Sequence, residues 1–245
     1  MKNSIIILLS GLFLFSANTQ AQSFKDMLKK KADEATESVT SGDNALTSEE
    51  VGKGLKEALT KGIEKGVSSV SKPDGYLKDL SIKLLMPEEA KKAEQKLRSL
   101  GQDKLVDDAI TSMNRGAEDA ANFAKDIFVQ AIKDMTISDA MSILKGEDDA
   151  ATSYLKKSTR SALVQKFQPI IKTSLEKVGA TKHWKTVFGT YNKIPFVQKI
   201  NPNLEEHVTN KAIDGLFIQI AKEEKDIRAN PGARVTDLLK KVFGS

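Results

Sequence analysis

The sequence predicts an all-α fold, a multi-helix bundle-like domain with one long central helix. Three observations carry that expectation. Apolar residues recur at three- and four-residue steps through most of the chain, which places them on one face of a helix. No segment alternates apolar and polar residues cleanly enough for a half-buried strand. Cysteine is absent, so the fold must hold through its core without disulfides.

The chain opens with a charged Met1-Lys2-Asn3, an apolar run from Ile5 to Phe15, and small residues at Thr19 and Ala21. That pattern is expected to be a signal peptide over residues 1–21, cut after Ala21, because the apolar run is too short to span a bilayer. The expected destination is periplasmic or secreted, and without cysteine there is no lipid-anchored residue at the cut. Residues 22–46 read as an N-terminal arm and linker: Phe24, Met27, Leu28, Ala32, Ala35 and Val39 step helically among Lys25, Lys29, Lys30 and Lys31. A basic helix of that kind either touches a membrane or frays as an arm.

Residues 47–245 read as one all-helical domain. Thr47-Ser48-Glu49-Glu50 is a capping box, in which a hydroxyl and a carboxylate satisfy orphan backbone donors. Val51, Leu55, Leu59, Ile63, Val67 and Val70 follow on one face, with Gly52, Gly54, Gly62 and Gly66 in the same run. Four glycines in a helix need a packing reason, since each costs about 1 kcal/mol against alanine. A close neighbouring helix supplies one, and a backbone-lined ligand groove supplies another. Lys72 to Tyr76 is turn chemistry, and Leu77 to Met86 suits helix or extended chain. Pro87-Glu88-Glu89 opens a helix that ends before Gly101.

The central helix runs from about Asp103 to Asp134, with Val106, Ile110, Met113, Ala117, Ala120, Ala124, Ile127, Ala131 and Met135 in one stripe. A short helix follows from Thr136 to near Gly146. Glu147-Asp148-Asp149 is expected in the first turn of the next helix, which runs to Val178 with a kink or break at Pro169. Residues 181–191 and 204–228 are helical, Pro195 and Pro202 bracket a loop, Asn230-Pro231-Gly232 is a turn, and Val235 to Phe243 closes the chain.

Charge is unevenly placed. Residues 22–152 carry 20 basic and 25 acidic side chains, and residues 201–245 carry 7 of each. Residues 153–200 carry 10 basic side chains against the single acid Glu176, together with six of the fourteen aromatics. Trp and Tyr beside Lys suit a membrane–water interface, so Lys182, Trp184, Lys185, Tyr191 and Lys193 are the candidate contacts with an anionic surface. Alternatively this positive stretch folds against the negative first half.

Catalytic patterns are missing. His183 and His207, the only histidines, lack the spacing of a metal site, and no nucleophile elbow, phosphate loop or dinucleotide fingerprint occurs. No cofactor, no metal and no nucleic-acid partner are expected. Two polar clusters remain. Asn114, Arg115, Glu118 and Asp119 pair at i, i+4 as Arg115–Asp119 and Asn114–Glu118. Glu223, Glu224, Arg228 and Arg234 form the second. Such clusters read either as acid–base machinery or as a structural polar network; Asn114, Arg115, Glu118, Glu224 and Arg228 are assigned to a network.

Several segments, taken in order, carry a resemblance. They are Gly54–Leu59, Asp74–Tyr76, Met113–Glu118, Ile127–Phe128, Met135–Ala140, Leu144–Gly146 and Asp149–Tyr154, then Gly215–Phe217, Ile220–Glu224, Ile227–Pro231, Ala233–Arg234 and Leu238–Gly244. The chain from Thr47 onward resembles the exported bacterial family catalogued as domain of unknown function four-one-nine-seven. The resemblance implies an all-helical secreted or periplasmic protein and no activity. Gly116 departs from it, where alanine is expected. The functional expectation is a non-enzymatic envelope protein that binds lipid or another apolar or anionic ligand. The alternative is a structural or interaction protein of an envelope assembly, and a hydrolase built on the carboxylates ranks last.

Overall fold

Eight α-helices and no strand make up the described residues, which are 47–230 of the computed structural model. The chain divides between Thr47 and Ser48 into two units, and the helices belong to the second. The signal peptide expected over 1–21, the arm expected over 22–46, Arg234 and the closing helix expected over 235–243 lie outside the described residues.

Helix α1 spans Ser48–Val70. Its glycine side is filled by neighbours: a Cβ at Gly52 would meet Ile137 and Ala140 at 3.7–3.9 Å, and one at Gly62 would meet Ile227 and Glu223 at 3.5–3.8 Å. Close helix packing, rather than a ligand groove, occupies that face. After a 3-10 turn at Glu88–Ala90 come α2 (Lys91–Ser99), α3 (Asp103–Ala121), α4 (Ala124–Asp134), α5 (Ile137–Leu144), α6 (Ala150–Lys177), α7 (Ala180–Tyr191) and α8 (Leu204–Ala229). Helix α8 packs along α6 and α1, α3 lies against α6 and α7, and α4 and α5 close on α1. One contiguous apolar cluster links all eight helices.

The single long central helix is corrected to two. The chain turns at Asn122-Phe123, both exposed, where Phe123 N–H donates to Ala120 O at 3.1 Å. The apolar stripe crosses the turn without losing register, so Ala120, Ala124 and Phe128 are all fully buried; periodicity alone therefore cannot reveal the break. The break expected at Pro169 is absent, and α6 stays helical through it. Pro169 sits on the exposed side, as does Gln165, whose carbonyl loses its helical donor. The acids expected inside that helix precede it, because α6 begins at Ala150. Thr136 and Asp139 form a reciprocal cap on α5, and Asn203 Oδ1 accepts from Glu206 N–H at 3.1 Å to start α8.

Residues 71–87 form neither helix nor strand but a series of turns across α3 and α8. A buried segment without a ladder needs side chains to satisfy its backbone. That requirement produces the first polar cluster.

Candidate functional site

Asp74 adopts a left-handed backbone (φ 72°), and its carboxylate accepts from Arg115 Nη2 at 2.6 Å and Lys78 Nζ at 2.7 Å. The hydrogen bond from Lys78, then that from Arg115, holds the Asp74 pKa below its ordinary value. Gly75 follows because a Cβ there would lie 2.5 Å from the Val70 carbonyl oxygen. Tyr76 is fully buried and donates its hydroxyl to Ala212 O at 2.7 Å. Burial pushes the phenol pKa up, so it remains a donor. The backbone N–H groups of Tyr76 and Leu77 both donate to Glu118 Oε1 at 3.1 Å, while Arg115 Nη1 donates to Glu118 Oε2 at 2.6 Å. Asn114 pairs with Leu84 in the manner of a strand, accepting its N–H and donating to its carbonyl, both at 2.9 Å.

The pairs these residues make differ from the i, i+4 expectation. Arg115 joins Glu118 and Asp74 rather than Asp119, and Asp119 binds Ser174 and Lys177 of α6. Asn114 serves the loop backbone rather than Glu118. Gly116, the departure from the family pattern, faces Leu175, whose Cδ2 lies 2.7 Å from where a Cβ would stand.

The second cluster is a helix cap supplied from another helix. Ala151 N–H donates to Glu224 Oε1 at 2.9 Å, and Thr152 donates both N–H and hydroxyl to Oε2 at 2.8 Å. These are first-turn donors of α6, which its own Asp149 leaves without a side-chain cap. Arg228 donates to Glu224 at 2.9 Å and to Ile143 O at 2.8 Å, tying in the end of α5. Glu223 instead pairs with Lys65 at 2.7 Å. Glu118 and Glu224 thus commit their oxygens to backbone donors and arginines, whereas Asp119 and Glu223 pair with lysines.

The five candidate surface residues separate by helical phase. Trp184 and Tyr191, 5% and 6% exposed, line the inner face of α7 with Val187 and Phe188. Trp184 Nε1–H donates to Pro202 O at 3.0 Å, and its ring packs on Phe188 with centroids 4.7 Å apart. Both aromatics are corrected from interface to core, as their seven-residue spacing in an amphipathic helix requires. Lys182 and Lys185 project from the opposite face, where they share a shallow depression with Thr181 and Thr186, and Lys193 is exposed just beyond the helix.

The fold does not neutralise this segment against the acidic first half. Among the described residues only Lys177 pairs with it, through Asp119, and Arg160 pairs with Asp214 of α8 at 2.7 Å. Lys156, Lys157, Lys166, Lys172, Lys182, Lys185, Lys193 and Lys199 are exposed with no ion pair among the described residues.

An open groove of about 980 Å³ lies between residues 81–91, the start of α6 and α8. Sequence patterns gave no hint of it, because its walls come from three distant segments. Exposed Leu85 and Ile218 line it beside His207, whose Nε2–H donates to Leu85 O at 2.8 Å. Burial, more than any charge, holds the imidazole pKa below its ordinary value. No helix among the described residues is long and apolar enough to cross a membrane, and no group of three or more His, Asp or Glu there could hold a metal.

A family model described as protein of unknown function (DUF4197) matches residues 45–244. No curated protein and no solved structure matches the chain.

Proposed function

The chain belongs to the DUF4197 family, and from its geometry we propose that it is a non-enzymatic exported envelope protein that works by binding, docking its lysine-rich side on an anionic membrane surface. One observation carries the reading: eight lysines within residues 153–200 stand exposed and without ion partners among the described residues. Unpaired charges of one sign attract an oppositely charged surface and set both the rate and the salt dependence of association. The commitment of Glu118 and Glu224 to backbone donors supports a binding role over hydrolysis.

Co-sedimentation with vesicles tests it. The protein is expected to bind vesicles containing anionic phosphatidylglycerol at low salt and to ignore neutral phosphatidylcholine. Each engaged lysine contributes about 1 kcal/mol, so Lys182→Gln, Lys185→Gln and Lys193→Gln together should weaken binding by roughly tenfold or more. All three are exposed, so the helical circular dichroism should be unchanged. A wild-type protein that never binds anionic vesicles defeats the proposal. The groove favours a second reading, an interaction protein of an envelope assembly, since exposed Leu85 and Ile218 lie within it.

A further inference from the structure

The segment that follows α7 combines three features that core packing does not demand. Phe196 is fully exposed, the most solvent-accessible large apolar side chain among the described residues. Its backbone is left-handed (φ 64°), a conformation that a bulky aromatic residue rarely adopts. Lys193 and Lys199, both exposed, stand three residues to either side of it.

The base of this loop is fixed. Asn192 donates its amide to Ile200 O at 2.8 Å and accepts from Ile200 N–H at 3.0 Å, closing the segment between them. One step beyond, Trp184 Nε1–H holds the Pro202 carbonyl. Ile194, Val197 and Ile200 pack inward on the core. With three apolar residues turned in and both ends clamped, the left-handed residue at 196 directs its ring outward. An aromatic that merely needed burial has an apolar surface beside it, on which Ile194 and Val197 already lie. A strained, outward aromatic on a rigid base is instead prepared to meet something.

We propose that residues 193–199 form a membrane-insertion loop. Phe196 enters the boundary between headgroups and acyl chains of an anionic bilayer, while Lys193 and Lys199 engage the lipid phosphates. The inference rests on the docking reading above and adds to it a contact that salt cannot screen. Charge complementarity selects the occupant: an exposed aromatic tip between two exposed lysines suits an apolar layer beneath an anionic surface.

The test uses the full chain with phosphatidylglycerol-containing vesicles, at low salt and at about 0.5 M salt, where exposed charges are screened beyond a few ångströms. Wild type and Phe196→Trp are expected to retain binding at high salt, and the introduced indole to shift its emission to the blue. Phe196→Asn removes the ring while suiting the left-handed backbone better. It should therefore melt no lower than wild type, yet bind about tenfold to a hundredfold more weakly at high salt, the range for withdrawing a phenyl ring from apolar surroundings. Equal binding of Phe196→Asn and wild type at both salts overturns the insertion loop and leaves lysine docking standing. Failure of the wild type to bind at low salt overturns both and turns the loop toward a protein partner.

Discussion

Glu118 and Glu224 sit among the few buried charged side chains, while Lys182 and Lys185 on α7 and Lys193 just beyond it stand exposed in solvent. The two glutamates each accept two consecutive backbone N–H groups and hold an arginine. In one case the donors come from a loop without a ladder, in the other from the first turn of α6. Most residues they join lie within the stretches that carry the resemblance, Leu77 standing one residue outside: Asp74–Tyr76 meets Met113–Glu118 and Gly215, and Asp149–Tyr154 meets Ile220–Glu224 and Ile227–Arg228. Residues 180–200 contribute nothing to those stretches. Glu118 and Glu224 thus tie down loop and helix ends, and the charge that could recognise a partner lies elsewhere.

The comparison breaks most visibly at Glu224. Glu224→Ala removes the one carboxylate partner described for the mostly buried Arg228, which keeps its bond to Ile143 O, and strips the cap from α6. Removing one member of a buried pair costs about 3–5 kcal/mol, so chemical denaturation should show a midpoint shifted far down. A loss below about 1 kcal/mol, the value of an exposed pair, would mean that water satisfies these donors and that the two regions do not differ as drawn.

Two glycines sharpen it further, with opposite signs. A Cβ at Gly215 would lie 2.5 Å from the Tyr76 ring, which is fully buried and pinned through its hydroxyl. Gly215→Ala should cost about 1–3 kcal/mol by overpacking, seen as a lower melting temperature. Gly189 lies on the exposed side of α7, and a Cβ there would meet nothing within 4 Å. Gly189→Ala should raise stability by about 0.5–1 kcal/mol, the helical advantage of alanine. A destabilised Gly189→Ala would show that this face is packed and not available for docking.

The sequence by itself determined the helical class, because a three-to-four-residue apolar period allows no other element to bury one face. It also located six of the eight helices closely, with ends marked by residues such as Thr136 and Gly101. The exception was the pair α3 and α4, whose turn at Asn122-Phe123 preserves the stripe and leaves no punctuation. Within α7 the reading by composition grouped Trp184 and Tyr191 with the lysines, and the buried face of the helix separates them. Tertiary structure alone decided the rest. Glu118 reaches residues about forty positions away, Glu224 caps a helix more than seventy positions earlier, and Phe196 points outward because Asn192 and Ile200 close its loop. Hydrogen-bond partners that distant are set by which helices pack together, and packing depends on the whole core rather than on any local pattern of residues.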